Sequence, residues 1–195
     1  SARGEFREAV AYCDRAMQFA ETLGAPRARA FANVYRGNLY RARGEFAETL
    51  SLYEQALGLS EKEGMRFWVS NSSIFLGRTL AELGRVEEGL AHSLRGMALQ
   101  KEMGTRVNMG AFRGNHAATL LIAGRIAEAR AEAELALEHS AVSGERGNEV
   151  FVLDLLGRIA GASKPPDADA AASFYARGME LAEALGMTLP GTAAI

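Results

Sequence analysis

Glycine recurs at twenty-residue steps along this chain: Gly4, Gly24, Gly44, Gly64, Gly84, Gly104, Gly124 and Gly144. No rung of the ladder is missing. Glycine alone adopts a left-handed backbone at little steric cost, and that conformation stops an α-helix sharply. A stop every twenty residues restricts the chain to helix, turn, helix, turn, with helices of similar length. Such regularity marks a repeat array, in which no unit buries its apolar face alone and stacking supplies the core.

Alternate glycines are not equivalent, so the true period is forty. Gly4-Glu-Phe-Arg-Glu-Ala9 matches Gly44-Glu-Phe-Ala-Glu-Thr49, Gly84-Arg-Val-Glu-Glu-Gly89 and Gly124-Arg-Ile-Ala-Glu-Ala129. Each hexad carries glycine, an apolar residue two places on, a glutamate (Glu8, Glu48, Glu88, Glu128) and then a small residue. The glutamates fall in the first helical turn, where a carboxylate suits the macrodipole. Their helix-terminal placement accounts for them without catalysis. The following helix is amphipathic at period 3.6, with stripes Phe6, Val10, Cys13, Met17 and Phe46, Leu50, Tyr53, Leu57. Ala16, Ala56, Gly96 and Ala136 recur beside the stripe and permit close packing. In the other helix of each pair, Gly37, Gly77, Ala117 and Gly157 share one position. A mid-helix glycine costs roughly 1 kcal/mol against alanine, so its recurrence predicts helix backbones touching there.

The spacing predicts nine helices, over 5–23, 26–43, 46–63, 66–83, 86–103, 106–123, 126–143, 147–161 and 167–185. The fold class is all-α: a right-handed α-solenoid of antiparallel helix pairs with one leading helix. One repeat domain is expected over 1–187, as a half unit 1–24 and units 25–64, 65–104, 105–144 and 145–187. Residues 188–195 form a tail without helical pattern. The ladder fails at Lys164, where Pro165, Pro166 and Asp167 read as a two-residue insertion before the last helix. The array opens on the second helix of a pair, so the chain is expected to be excised from a longer protein.

Composition excludes several function classes. Of 195 residues 48% are hydrophobic, which suffices for an extensive core, and the net charge of −2 gives no footprint for nucleic acid. Cys13 is the only cysteine, so neither a disulfide framework nor a thiolate metal site is expected. No long apolar run or signal peptide stands out, and the chain reads as soluble and cytoplasmic, with no membrane partner. His92, His116 and His139 have no second histidine or cysteine at ligand spacing, so no metal is expected. His116 falls where other units carry Arg36, Leu76 and Leu156 and reads as a structural residue. Cys13 shares its position with Tyr53, Ser93 and Ala133 and reads as a packed side chain. There is no nucleophile elbow, P-loop or dinucleotide fingerprint, hence no catalytic residue and no cofactor.

Within one unit, Gly37, Tyr40, Gly44, Tyr53 and Ala56-Leu57 stand as in the tetratricopeptide repeat, which the chain resembles. It departs from that family in its forty-residue period and in lacking the usual tryptophan and closing proline. The stretch Gly64-Met-Arg-Phe-Trp68, with Leu76-Gly, Leu83-Gly-Arg85 and Glu87-Glu-Gly-Leu-Ala91, is similar to C-terminal regions of large bacterial signalling proteins. Those proteins join a class III cyclase or a LuxR-type DNA-binding domain to an ATPase module and then to repeats. The resemblance implies a non-catalytic regulatory scaffold that binds a peptide or partner protein in a concave groove. It places Tyr35, Asn38, Arg41, Asn71, Phe75, Arg78, Asn115 and Arg158 in that groove, with Phe31 and Ala118 at equivalent positions. Two other expectations stand beside it: a small-ligand sensor with its ligand held between repeats, and a homodimer formed through the exposed first helix.

Overall fold

The computed structural model describes residues 2–187, with side chains from Arg7 onward; Phe6 of the apolar stripe and the 188–195 tail lie outside the described residues. The chain divides into two compact units, Ser1–Gly104 and Thr105–Ile195. The first holds α1 (Ala2–Thr22), α2 (Pro26–Ala42), α3 (Phe46–Lys62), α4 (Arg66–Glu82) and α5 (Val86–Met103). The second holds α6 (Met109–Ile122), α7 (Ile126–Ser143), α8 (Arg146–Ala162) and α9 (Ala168–Ala184). Among the described residues there is no strand.

The glycine ladder acts through its backbone. Gly24, Gly44, Gly64, Gly84, Gly104, Gly124, Gly144 and the later Gly186 all hold φ between 58° and 84°. After seven of them the next amide donates five residues back, as from Glu45 to Tyr40 at 3.1 Å and from Arg85 to Leu80 at 2.9 Å. Carbonyls orphaned at the helix end are thereby satisfied. Two boundaries differ from the sequence expectation. α1 already begins at Ala2, so Gly4 lies in its first turn and Glu8 beyond it. α6 begins at Met109 rather than at 106, because Asn108 takes a left-handed φ of 58° and turns the chain before the helix starts. Asparagine is among the few non-glycine residues that visit this region readily.

Each unit is a run of helices packed on their sequence neighbours, with α2 also touching α4 and α6 touching α8. α3, α5 and α7 bury one narrow stripe made mostly of small and polar residues: Thr49, Tyr53, Ala56, Ser60 beside Leu57; Gly89, Ser93, Gly96, Gln100 beside Leu90; Ala129, Ala133, Ala136, Ser140. α4 is buried without interruption from Val69 to Ala81, since α2, α3 and α5 all press on it. The shared glycine position explains the fit between partners. A Cβ on Gly77 would sit 2.5 Å from the carbonyl oxygen of Gly89, so there the two backbones do touch. At Gly37 the missing Cβ instead makes room for a ring: Tyr53 Cε1 lies 2.5 Å from where it would stand. Gly157 receives Tyr175 in the same way. Where the glycine is replaced by Ala117, the residue at the Tyr53 repeat position is Ala133, and both are fully buried.

The same pairing registers the late insertion. Sixteen residues separate Gly37 from Tyr53, and eighteen separate Gly157 from Tyr175. The two extra residues lie in the loop between α8 and α9, where the Asp167 carboxylate accepts the Ala170 amide at 3.0 Å and caps α9.

Candidate binding site

In the first unit α2 sets Phe31, Tyr35 and Asn38 on one face by the i, i+4, i+7 rule, and α4 sets Asn71, Phe75, Arg78 and Glu82 in the same register. The two helices touch, and Phe31 with Trp68 and Arg41 with Glu82 bridge them on this face. Its N-terminal half is aromatic. The Phe31 ring lies 4.2 Å from Tyr35 and meets Trp68 edge-on at 5.7 Å, and Trp68 meets Phe67 at 5.5 Å. Phe31 and Tyr35 remain 43% and 46% exposed. Clustered exposed aromatics of this kind mark a contact surface more often than solitary ones do.

The C-terminal half is polar and largely withdrawn from solvent. The Tyr53 hydroxyl donates to Asn38 Oδ1 at 2.6 Å. Arg78 Nε donates to Glu82 Oε1 at 2.9 Å, and Arg41 Nη1 lies 3.9 Å from the same oxygen. Two guanidiniums thus approach one carboxylate. Burial pushes the Tyr53 phenol up to about 12 against the partial opposition of Arg41, so it remains a hydrogen-bond donor throughout the physiological range.

Among the groove residues expected in this unit, Tyr35 is exposed, Asn38 and Arg41 are half-buried, and Asn71, Phe75 and Arg78 are buried. Asn71 Oδ1 has no hydrogen-bond partner. The Phe75 ring packs 5.8 Å from the Tyr53 ring. In the second unit Asn115 is buried with its amide donating to the Ala111 carbonyl at 2.7 Å. Arg158 is exposed on α8 and has no ion pair among the described residues. His116 is buried there, and desolvation lowers its pKa from the ordinary histidine value, opposed by Glu132. Cys13 is half-buried on α1, where burial raises its thiol. Tyr12 and Phe19 on α1 are exposed, as is Leu23 just past its end.

Three residues of the α2–α4 face were not singled out for it from the sequence. Glu82 carried a usable signal, being one helical turn after Arg78. Tyr53 is a core residue whose hydroxyl reaches Asn38 on this face. Trp68 has no aromatic counterpart at Ala28, Asn108 or Asn148, so the repeat pattern gives it no role. Glu88 and Glu128 keep their place in the first turn of α5 and α7 and are each gripped by an arginine, Arg85 and Arg125, at 2.6 Å. Among the described residues no group of acidic, histidine or cysteine side chains converges as a metal site, and no helix is long and apolar enough to cross a membrane.

Comparison with known proteins agrees with this architecture. Residues 37–66 match the family model of the tetratricopeptide repeat. No curated protein matches the chain in sequence. Among solved structures, BtubC (BKLC) from P. vanneervenii is similar with a TM-score of 0.64 and 17% identity, over 100% of this chain and 80% of that one. The nearly identical TPR-like repeats of Podosopora anserina, from a protein assigned as a kinesin light chain, are similar at TM-score 0.56 and 19% identity, over 94% and 90% of the two chains. Their Q17M form gives 0.59 and 18%, over 95% and 90%. At such identities the likeness speaks to the fold, and with the matched repeat it shows a tetratricopeptide-like array of helix pairs.

Proposed function

We propose that this chain is a non-catalytic interaction module that binds a peptide or a partner protein's surface along the α2–α4 face. TPR-like repeats generally mediate protein–protein interactions, through the surfaces their stacked helices present. The observation that carries the reading to this face is the exposed Phe31–Tyr35 pair lying on the same side as two arginines that share one carboxylate. Aromatic rings offer large contact area at low entropic cost, and the planar guanidinium of Arg41 suits an acidic group beside it. Tyr35, Asn38 and Arg41 make the contacts; Asn71, Phe75 and Arg78 hold them in place. Asn115 and Arg158 occupy the corresponding positions of the second unit. The resemblance of the 64–91 stretch to bacterial signalling proteins supports a regulatory setting, in which the module joins a partner to the other domains of a larger chain.

Random-peptide display against the whole chain tests this. Selected peptides should be rich in acidic residues, and Tyr35→Ala should weaken them by at least about tenfold, as loss of an interface hot spot does. Tyr35 is exposed, so the variant should fold as the parent does. Peptides that bind the variant and the parent equally would place the site elsewhere.

A further inference from the structure

The opposite side of α2 differs from that of α4, the next helix of its kind in the same unit. Where α4 carries Val69, Ser73, Leu76 and Leu80, all buried, α2 carries Arg29, Asn33, Arg36 and Tyr40. Three apolar positions of α4 are polar in α2, and these four α2 residues line the base of a cleft of about 410 Å³ between α1 and α3. Met17 and Leu52 give its sides apolar surface, while Glu21 on α1 and Glu48 on α3 bring carboxylates to it. Arg36 is steadied by Asp14, Nη1 to Oδ1 3.0 Å, and lies 5.7 Å from the Tyr40 ring centre. Its Nε is buried with no hydrogen-bond partner. Arg29, Glu21 and Glu48 have no ion pair among the described residues.

The next groove of the same unit is built differently. Between α3 and α5 the counterparts of Glu21 and Gln55 are Glu61 and Arg95, which pair at 2.6 Å. Arg66 and Glu102 form a second strap there at 2.6 Å. The first groove has Gln55 in place of the arginine, and Pro26 and Lys62 in place of the second pair. Neither strap can form, and charges of both signs are left facing the cleft without partners.

We propose that this cleft binds a small dipolar ligand carrying both a carboxylate and an ammonium group, of the size of a free amino acid or dipeptide. Arg29 and Arg36 take the carboxylate. Glu21 and Glu48 take the ammonium, and Met17 and Leu52 cover the aliphatic part. The volume lies within the range of small-molecule sites, about 300–1,000 Å³. Charges of both signs held within one cleft suit a ligand that carries both, because each of its ends finds an opposite partner. The site is separate from the α2–α4 face and does not depend on the function proposed for it.

Calorimetric titration of the whole chain with each standard L-amino acid and with glycylglycine tests the proposal, with acetate and ethylammonium as probes of one charge only. At least one dipolar probe should bind saturably. Arg29→Gln and Glu48→Gln should each weaken it by at least about tenfold, the scale of one charge-assisted contact. Both side chains are exposed and unpaired, so both variants should fold as the parent does, Glu48→Gln losing only its small helix-dipole contribution. Tyr35→Ala, on the other side of α2, should bind the probe unchanged. The proposal is overturned if no dipolar probe binds, if acetate or ethylammonium binds as tightly, or if both variants bind like the parent.

Discussion

At the scale of the residue, two helical glycines with the same backbone have opposite reasons to exist. A Cβ on Gly37 would meet the buried Tyr53 ring, which cannot swing aside because it is fully enclosed and its hydroxyl is tied to Asn38. Gly58 has nothing within 4 Å of the same point. Gly58→Ala should therefore stabilise the protein by about 0.5–1 kcal/mol through helix propensity alone. Gly37→Ala should destabilise it by about 1–3 kcal/mol, the range of overpacking, after propensity is offset. Urea midpoints of the two variants check both signs; a stabilised Gly37→Ala would disprove the ring-in-notch packing. The sequence marked Gly37 as a packing site because it recurs at Gly77 and Gly157. It could not say that the neighbour is a ring in two cases and a backbone in the third, since that depends on which residue stands opposite in the next helix.

At the scale of the element, helix ends were the most legible feature. Seven of the eight ladder glycines take the left-handed conformation, and the expected ends of α2 to α5 hold to within a residue. The exception at α6 arises because Asn108 can supply the same left-handed turn that elsewhere requires glycine. Helix starts are less well marked: α2 to α8 have no side-chain cap, whereas Asp167 caps α9. Among the described helices α9 packs only on α8, so its first turn depends strongly on that one bond. Asp167→Ala should cost about 0.5–2 kcal/mol. Hydrogen exchange should locate the loss at the amides following position 167; unchanged protection of Ala170 would show the cap to be idle.

At the scale of the whole molecule, pH should act on the two units in opposite ranges. Tyr53 in the first unit stays neutral when folded up to about 12, against 10 in an open chain. The unfolded state loses its proton first, so stability falls as pH rises through that window, by up to about 3 kcal/mol. His116 in the second unit is kept neutral by burial below its ordinary 6.5. There the unfolded state gains a proton first, so stability falls as pH drops below that value. Tyr53→Phe should remove the alkaline loss and His116→Gln the acid one, each read by denaturant titration across pH. If either variant keeps the parent's profile, that side chain is not its source. The sequence by itself determined the repeat period, the helix stops, the all-α class and the place of the one insertion, because these follow from local backbone preference and from periodicity along the chain. Only the tertiary structure decided that Glu82 holds both Arg78 and Arg41, that Asn71 and Phe75 are buried while Phe31 and Tyr35 are open, and that the far side of α2 opens into a charged cleft. Each of those depends on which side chain a neighbouring helix brings opposite, and periodicity along one helix carries no information about what faces it.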